Sequence, residues 1–139
     1  MTIKHLLVAN DGSAQAEKAF TLALEFAKQF QAKLTVLAVA WFPQTPEDVG
    51  TEAIIENAEE HYKQLFKTLH EKAVILGINP KFKIVVGHPA EQIITYAEQE
   101  DIDHIIMGHR GNTFLRRWLL GSVAKQVMTN AHCAITIVR

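Results

Sequence analysis

Glycine and serine stand at fixed distances in the stretch GHRGNTFLRRWLLGSVA, residues 108–124: Gly108, two residues, Gly111, nine residues, then Gly121-Ser122. Glycine loses more conformational freedom on folding than any other residue, so three around one loop suggest a backbone shaped for a purpose. Phosphate recognition is one such purpose. Backbone N–H groups must approach the anion closely, and a helix N-terminus adds unsatisfied donors and a favourable dipole. Gly121-Ser122-Val123-Ala124 stands where such an N-terminus should begin. The Ser122 hydroxyl would add a hydrogen bond to the anion or cap the helix, two compatible roles. Gly108 and Gly111 read equally as a tight strand-to-loop turn. Neither G-x4-G-K-[ST] nor G-x-G-x-x-G occurs, which excludes an ordinary NTPase loop and a Rossmann dinucleotide site.

The remaining chemistry-bearing residues are sparser. Asp11 lies in Asn10-Asp11-Gly12-Ser13, ordinary turn chemistry, but directly after an apolar run where ligands of α/β sheets gather. Arg110 is the basic residue best placed to neighbour a phosphate, whereas Arg116 and Arg117 read as a solvated loop face. The seven histidines show no metal-ligand spacing and read as surface or strand-end residues. Cys133 reads as a small hydrophobe at a strand start. Trp41-Phe42 and Trp118-Leu119-Leu120 read as packing. No Ser-His-Asp or Cys-His arrangement can be argued from spacing, so no catalytic residue is assigned.

The elements that must position these groups alternate along the chain. Ile3 to Ala9, Leu34 to Ala40, Phe82 to Val86, His104 to Met107 and Cys133 to Val138 read as buried strands. Between them, Ala16, Ala19, Phe20, Ala23, Leu24, Ala27 and Phe30 recur at helical spacing, with Ser13 placed to cap them. Further helices are predicted over Thr51 to Leu76, with Gly77 just past the end, over Ala90 to Glu100, and over Ser122 to Asn130. The stretch from Trp41 to Gly50 reads as a loop. Strand–helix alternation throughout predicts one α/β domain, residues 1–139, with a parallel sheet and helices on both faces.

Bulk properties narrow the partners. The chain has 139 residues, 48% hydrophobic and 21% charged, the profile of one soluble globular domain. Fourteen Lys and Arg against fifteen Asp and Glu give a net charge of -1, no general attraction for nucleic acid or an anionic membrane. A single cysteine, no membrane-length apolar run and no signal-peptide pattern predict a cytoplasmic protein.

Four features taken together resemble the universal stress protein family, from Ile3 to Arg139: Asp11 after the first strand, Gly87-x-Pro89-Ala90, Asp103-His104-Ile105-Ile106-Met107-Gly108, and the full Gly108, Gly111, Gly121-Ser122 pattern. That glycine pattern is the mark of the family's ATP-binding branch. The resemblance implies a five-stranded parallel sheet in the order 3-2-1-4-5, with Asp11 and the glycine loop facing one another at the switch point. It implies an adenine nucleotide, ATP or a relative, held with Mg or Mn. Asp11, with Ala9, Asn10, Val39 and Met107 around it, would hold adenine and ribose. Gly108, Arg110 and Gly111 would line the ribose and phosphate path, and Gly121, Ser122, Val123 and Ala124 would hold the phosphates. It further implies a homodimer formed through the last strand, residues 133–138. Two positions depart from the pattern: Ala124 stands where close relatives often carry Ser or Thr, and Cys133-Ala134-Ile135 lacks the usual proline. The resemblance points to a regulatory protein of the stress response. Two other readings are a slow ATP hydrolase using Asp11 and Arg110, and a partner-binding dimer with an incidental pocket.

Overall fold

The computed structural model describes residues 2–40, 50–110 and 120–139. Nine elements alternate along them: β1 (His5–Ala9), α1 (Ala14–Phe30), β2 (Lys33–Ala40), α2 (Thr51–Ile75), β3 (Lys81–Val86), α3 (Pro89–Gln99), β4 (His104–Gly108), α4 (Ser122–Asn130) and β5 (Ala134–Val138). The five strands form one sheet in the order β3-β2-β1-β4-β5, and every neighbouring pair is parallel.

Side chains alternate across a strand, so each buried strand must satisfy two cores at once. Leu6 and Val8 of β1, with Val36 and Ile106, pack under the α1 stripe of Ala19, Phe20, Ala23, Leu24 and Ala27 and under Leu69 and Ala73 of α2. Leu7 points the other way, joining Leu37, Ile105 and Met107 against Ile93 and Ala97 of α3 and Ala124 and Val127 of α4. The continuous apolar strands of the sequence are therefore the middle layer of a three-layer domain. Among the described residues no helix is long and apolar enough to cross a membrane.

Element boundaries moved by a residue or two from those expected, each for a local reason. The ladder begins at His5, not Ile3, because the amides of Lys4 and His5 both donate to Oδ2 of Asp103, at 2.8 and 2.9 Å. Those hydrogen bonds, that from Lys4 foremost, hold the Asp103 carboxyl below its usual range. Helix α3 takes Pro89 as its first residue, where a missing N–H costs nothing. Ser13 caps α1 as expected, its Oγ accepting from the Ala16 amide at 3.1 Å.

At the opposite end of the sheet from the glycine loop, two histidines start strands and reach across to threonines. Nε2 of His5 meets Oγ1 of Thr35 at 2.9 Å, and Nε2 of His104 meets Oγ1 of Thr136 at 2.6 Å. The His104 ring also sits edge-on to Phe26 of α1, 5.8 Å between centroids, and its Nδ1 is buried with no hydrogen-bond partner. An imidazolium there would strand a proton without an acceptor, and burial accordingly lowers the His104 pKa. The unfolded chain thus protonates first as pH falls, so stability should decline below about pH 6.5 and level off beneath the folded value. His104→Gln keeps a polar group facing Thr136 and removes this titration. Its urea midpoint should fall less than that of the native chain between about pH 7 and pH 5. The His5 pKa is also lowered, first by burial and then by Lys33, so some decline should persist in the variant.

Candidate functional site

Strands β1 and β4 are adjacent, with Leu6 opposite His104 and Val8 opposite Ile106, yet their following helices pack on opposite faces of the sheet. The chain therefore diverges at their carboxyl ends and leaves a crevice. A cleft of about 790 Å³, open solvent at its mouth included, occupies that point. Ala9, Asn10, Asp11, Val39, Met107, Gly108, Arg110, Gly121, Ser122, Val123 and Ala124 all line it. Eleven of the twelve residues singled out in the sequence thus come together. The twelfth, Gly111, lies outside the described residues, as do Trp41, Phe42, Arg116, Arg117, Trp118 and Leu119.

The wall that follows β1 is a turn that satisfies itself. Asn10 donates its amide to the Leu37 carbonyl at 2.9 Å, and its Oδ1 accepts from the Gly12 amide at 2.8 Å. Oδ1 of Asp11 accepts from the Ser13 amide at 2.9 Å. The turn chemistry read at Asp11 is real, and it presents the carboxyl group at the cleft edge rather than competing with that placement. A Cβ on Gly12 would sit 3.9 Å from Cδ2 of Leu65, so α2 borders this turn, and the Tyr62 phenol of α2 is pushed up by burial and then by the Asp11 charge.

The opposite wall is built differently. The Gly121 amide donates to the His109 carbonyl at 2.8 Å, and the His109 amide donates to the Val138 carbonyl at 2.6 Å. The base of the glycine loop is thereby pinned to the end of β5, and His109 is buried. Gly121, with φ −63° and ψ 152°, is the N-cap of α4 and has no side chain to cap with. Ser122 is consequently the first helical residue and does not cap the helix. The first intrahelical bond runs from the Lys125 amide to the Gly121 carbonyl, so the amides of Ser122, Val123 and Ala124 precede the helical ladder. No acidic residue stands in that first turn, whereas α1, α2 and α3 each carry one: Glu17, Glu52 and Glu91. Of the four described helices, α4 alone points an uncapped N-terminus without compensating charge, and it points at the cleft.

Between the walls lies an apolar shelf of Leu37, Val39, Ile93 and Met107, with Pro89 and Ala16 at its margins. Leu37, Ile93, Ala16, Pro89 and Ser13 were not singled out from the sequence as lining residues. Pro89 carried a signal, since it belongs to the Gly87-x-Pro89-Ala90 motif, and Ile93 had only its place on an apolar helix face. Among the described residues no group of three or more His, Cys, Asp or Glu is arranged to hold a metal ion. The arrangement can take a flat apolar group on the shelf, a hydroxyl-bearing link at Asp11 and an anion at the start of α4.

A sequence model of the universal stress protein family matches residues 2–139. Universal stress protein MJ0531 of Methanocaldococcus jannaschii is 34% identical over 139 residues, covering 98% of this chain and 82% of that protein. Among solved structures, universal stress protein UspA from Lactobacillus plantarum superposes with a TM-score of 0.88 at 29% identity, over 100% of this chain and 99% of its own. Two more distant folds were solved with nucleotides. A universal stress protein in complex with cAMP matches at TM-score 0.78 and 22% identity, over 100% and 99% of the two chains. The Archaeoglobus fulgidus universal stress protein in complex with dAMP matches at 0.68 and 23%, over 100% of both chains.

Proposed function

We propose that this chain, which belongs to the universal stress protein family, binds an adenine nucleotide in the β1–β4 cleft and signals through its bound state. The observation that carries the reading is the uncapped, uncompensated N-terminus of α4, facing Asp11 across an apolar shelf. Adenine would lie on the shelf between Val39 and Met107. Asp11, with Ala9 and Asn10 beside it, would take the ribose hydroxyls, because a carboxylate accepts from both. Gly108, Arg110 and Gly111 would line the path onward, and the amides of Ser122, Val123 and Ala124, with the Ser122 hydroxyl, would receive the phosphates. The ligand proposed is ATP, whose added phosphates use the most of these donors. Mg or Mn would accompany it, drawing its ligands mainly from phosphate oxygens and water.

The cAMP- and dAMP-bound relatives support an adenine ligand for this fold. β5 is an edge strand of apolar sequence, AITIV, and is only half covered, which supports a homodimer formed through it. The cytoplasm is the proposed compartment, and a response to stress the proposed setting.

Thermal unfolding with and without Mg-ATP tests the reading. At a hundredfold excess over Kd, ligation should add about 2.7 kcal/mol to the native state. Small molecules released by denaturing the purified protein should include an adenine nucleotide by mass. A midpoint unmoved by millimolar ATP, together with a nucleotide-free extract, would overturn it.

A further inference from the structure

Gln15 is an inconspicuous polar residue in the first turn of α1, half-buried and separated from the glycine loop by 95 residues of chain. Its Oε1 nevertheless accepts the backbone N–H of Arg110 at 2.8 Å. Its own backbone lies so near β4 that a Cβ on Gly108 would sit 3.1 Å from the Gln15 Cβ and 3.2 Å from its carbonyl carbon. A Cβ on Gly121 would likewise sit 3.0 Å from the Arg110 Cα. Arg110 is therefore gripped from both sides, by the Gln15 amide oxygen on its N–H and by Gly121 against its Cα. The two glycines make room for this grip, and neither is required for its dihedral angles alone.

We propose that Gln15 is a positioning residue for the phosphate side of the cleft, fixing Arg110 near the base of the glycine loop from α1 before any ligand arrives. Gln15 stands four residues after Asp11, so one short segment holds the ribose wall and, through one side chain, the phosphate wall. The Arg110 N–H is then spent on the scaffold, and the anion is left to the α4 amides and the Arg110 side chain. The inference rests on the nucleotide reading and adds to it the device that sets the cleft's width.

Gln15→Met keeps the side-chain volume and removes the acceptor. Calorimetric titration with adenosine, AMP and ATP should show ATP bound about tenfold more weakly. Adenosine should stay within about twofold, because it makes no contact beyond Arg110. ATP affinity that does not change, or equal weakening for all three ligands, would overturn the proposal, the latter by pointing to a general structural role. A second measurement needs no variant: the Arg110 amide of the ligand-free native protein should resist hydrogen exchange, and exchange at the rate of an exposed amide would also overturn it. Failure of the native chain to bind any of the three ligands would sink the nucleotide reading and this inference with it. Tight binding by both the native chain and Gln15→Met would sink this inference alone.

Discussion

Gly121→Val should weaken nucleotide binding at least about a hundredfold while the chain remains folded. The backbone of Gly121, φ −63° and ψ 152°, is one that any residue adopts, so the cost is spatial and not conformational. The first carbon of a side chain would already stand 3.0 Å from the Arg110 Cα and 3.2 Å from both the Arg110 Cβ and the His109 oxygen. All three atoms are backbone or attached directly to it, and the His109 carbonyl is held by the Gly121 amide itself. Valine's two methyl groups add to the conflict, and relief requires moving the start of α4 away from Arg110. Hydrogen bonds to a charged phosphate are worth about 1.5–3 kcal/mol each. Misplacing two of them weakens binding by at least about a hundredfold. Titration calorimetry reads the loss, and circular dichroism should still show the native helix content. Gly121→Ala, with only the first carbon, should fall between the two.

The second large effect is on stability. Phe20 of α1 has no exposed surface and belongs to the core that α1 and α2 share with β1, β2 and β4. Phe20→Ala should cost about 3–5 kcal/mol, the lost transfer energy of the ring plus the cavity it leaves. Whole domains are stable by only about 5–15 kcal/mol, so the urea midpoint should fall by a large fraction of its value. The comparison with Gly121→Val is informative because the signatures are opposite. Saturating ATP should raise the Phe20→Ala midpoint as it raises the native one, and should leave the Gly121→Val midpoint where it was.

The fold was largely legible because its signals are local. Each strand is a short run rich in apolar residues, those of β1, β2 and β4 buried on both faces, and each helix carries an apolar stripe, so alternation predicted the layers. The adjacency of β1 and β4 was not legible from periodicity. Nothing in Leu6-Leu7-Val8 says that its second neighbour is Ile105-Ile106 and not another apolar run, and only the family resemblance supplied the order. The cleft was legible where glycine, serine and aspartate carry geometric or chemical meaning. It was illegible where an ordinary residue acts through distance. Leu37 and Ile93 look like any core residue, and Gln15 looks like any solvated helix position, until the sheet brings Arg110 to it. Ser122 read both as an anion contact and as a helix cap, and the structure makes Gly121 the cap.

The Asp103 clasp on Lys4 and His5 has a bearing on the order in which the molecule assembles. The central strand of the sheet is the first to be synthesised, yet one of its two partners and the carboxylate that fixes its start lie about a hundred residues later. β1, α1 and β2 can come together early, whereas closing β1 onto β4 must overcome the entropy of a very long loop. Of the residues that line the cleft, only those from Ala9 to Ala16 and those of β2 are then in place. A nucleotide bound in the cleft as proposed would therefore arrive after that closure, and its grip would act on the rate of unfolding while leaving the rate of folding unchanged. What such a ligand would control is how long the finished molecule lasts.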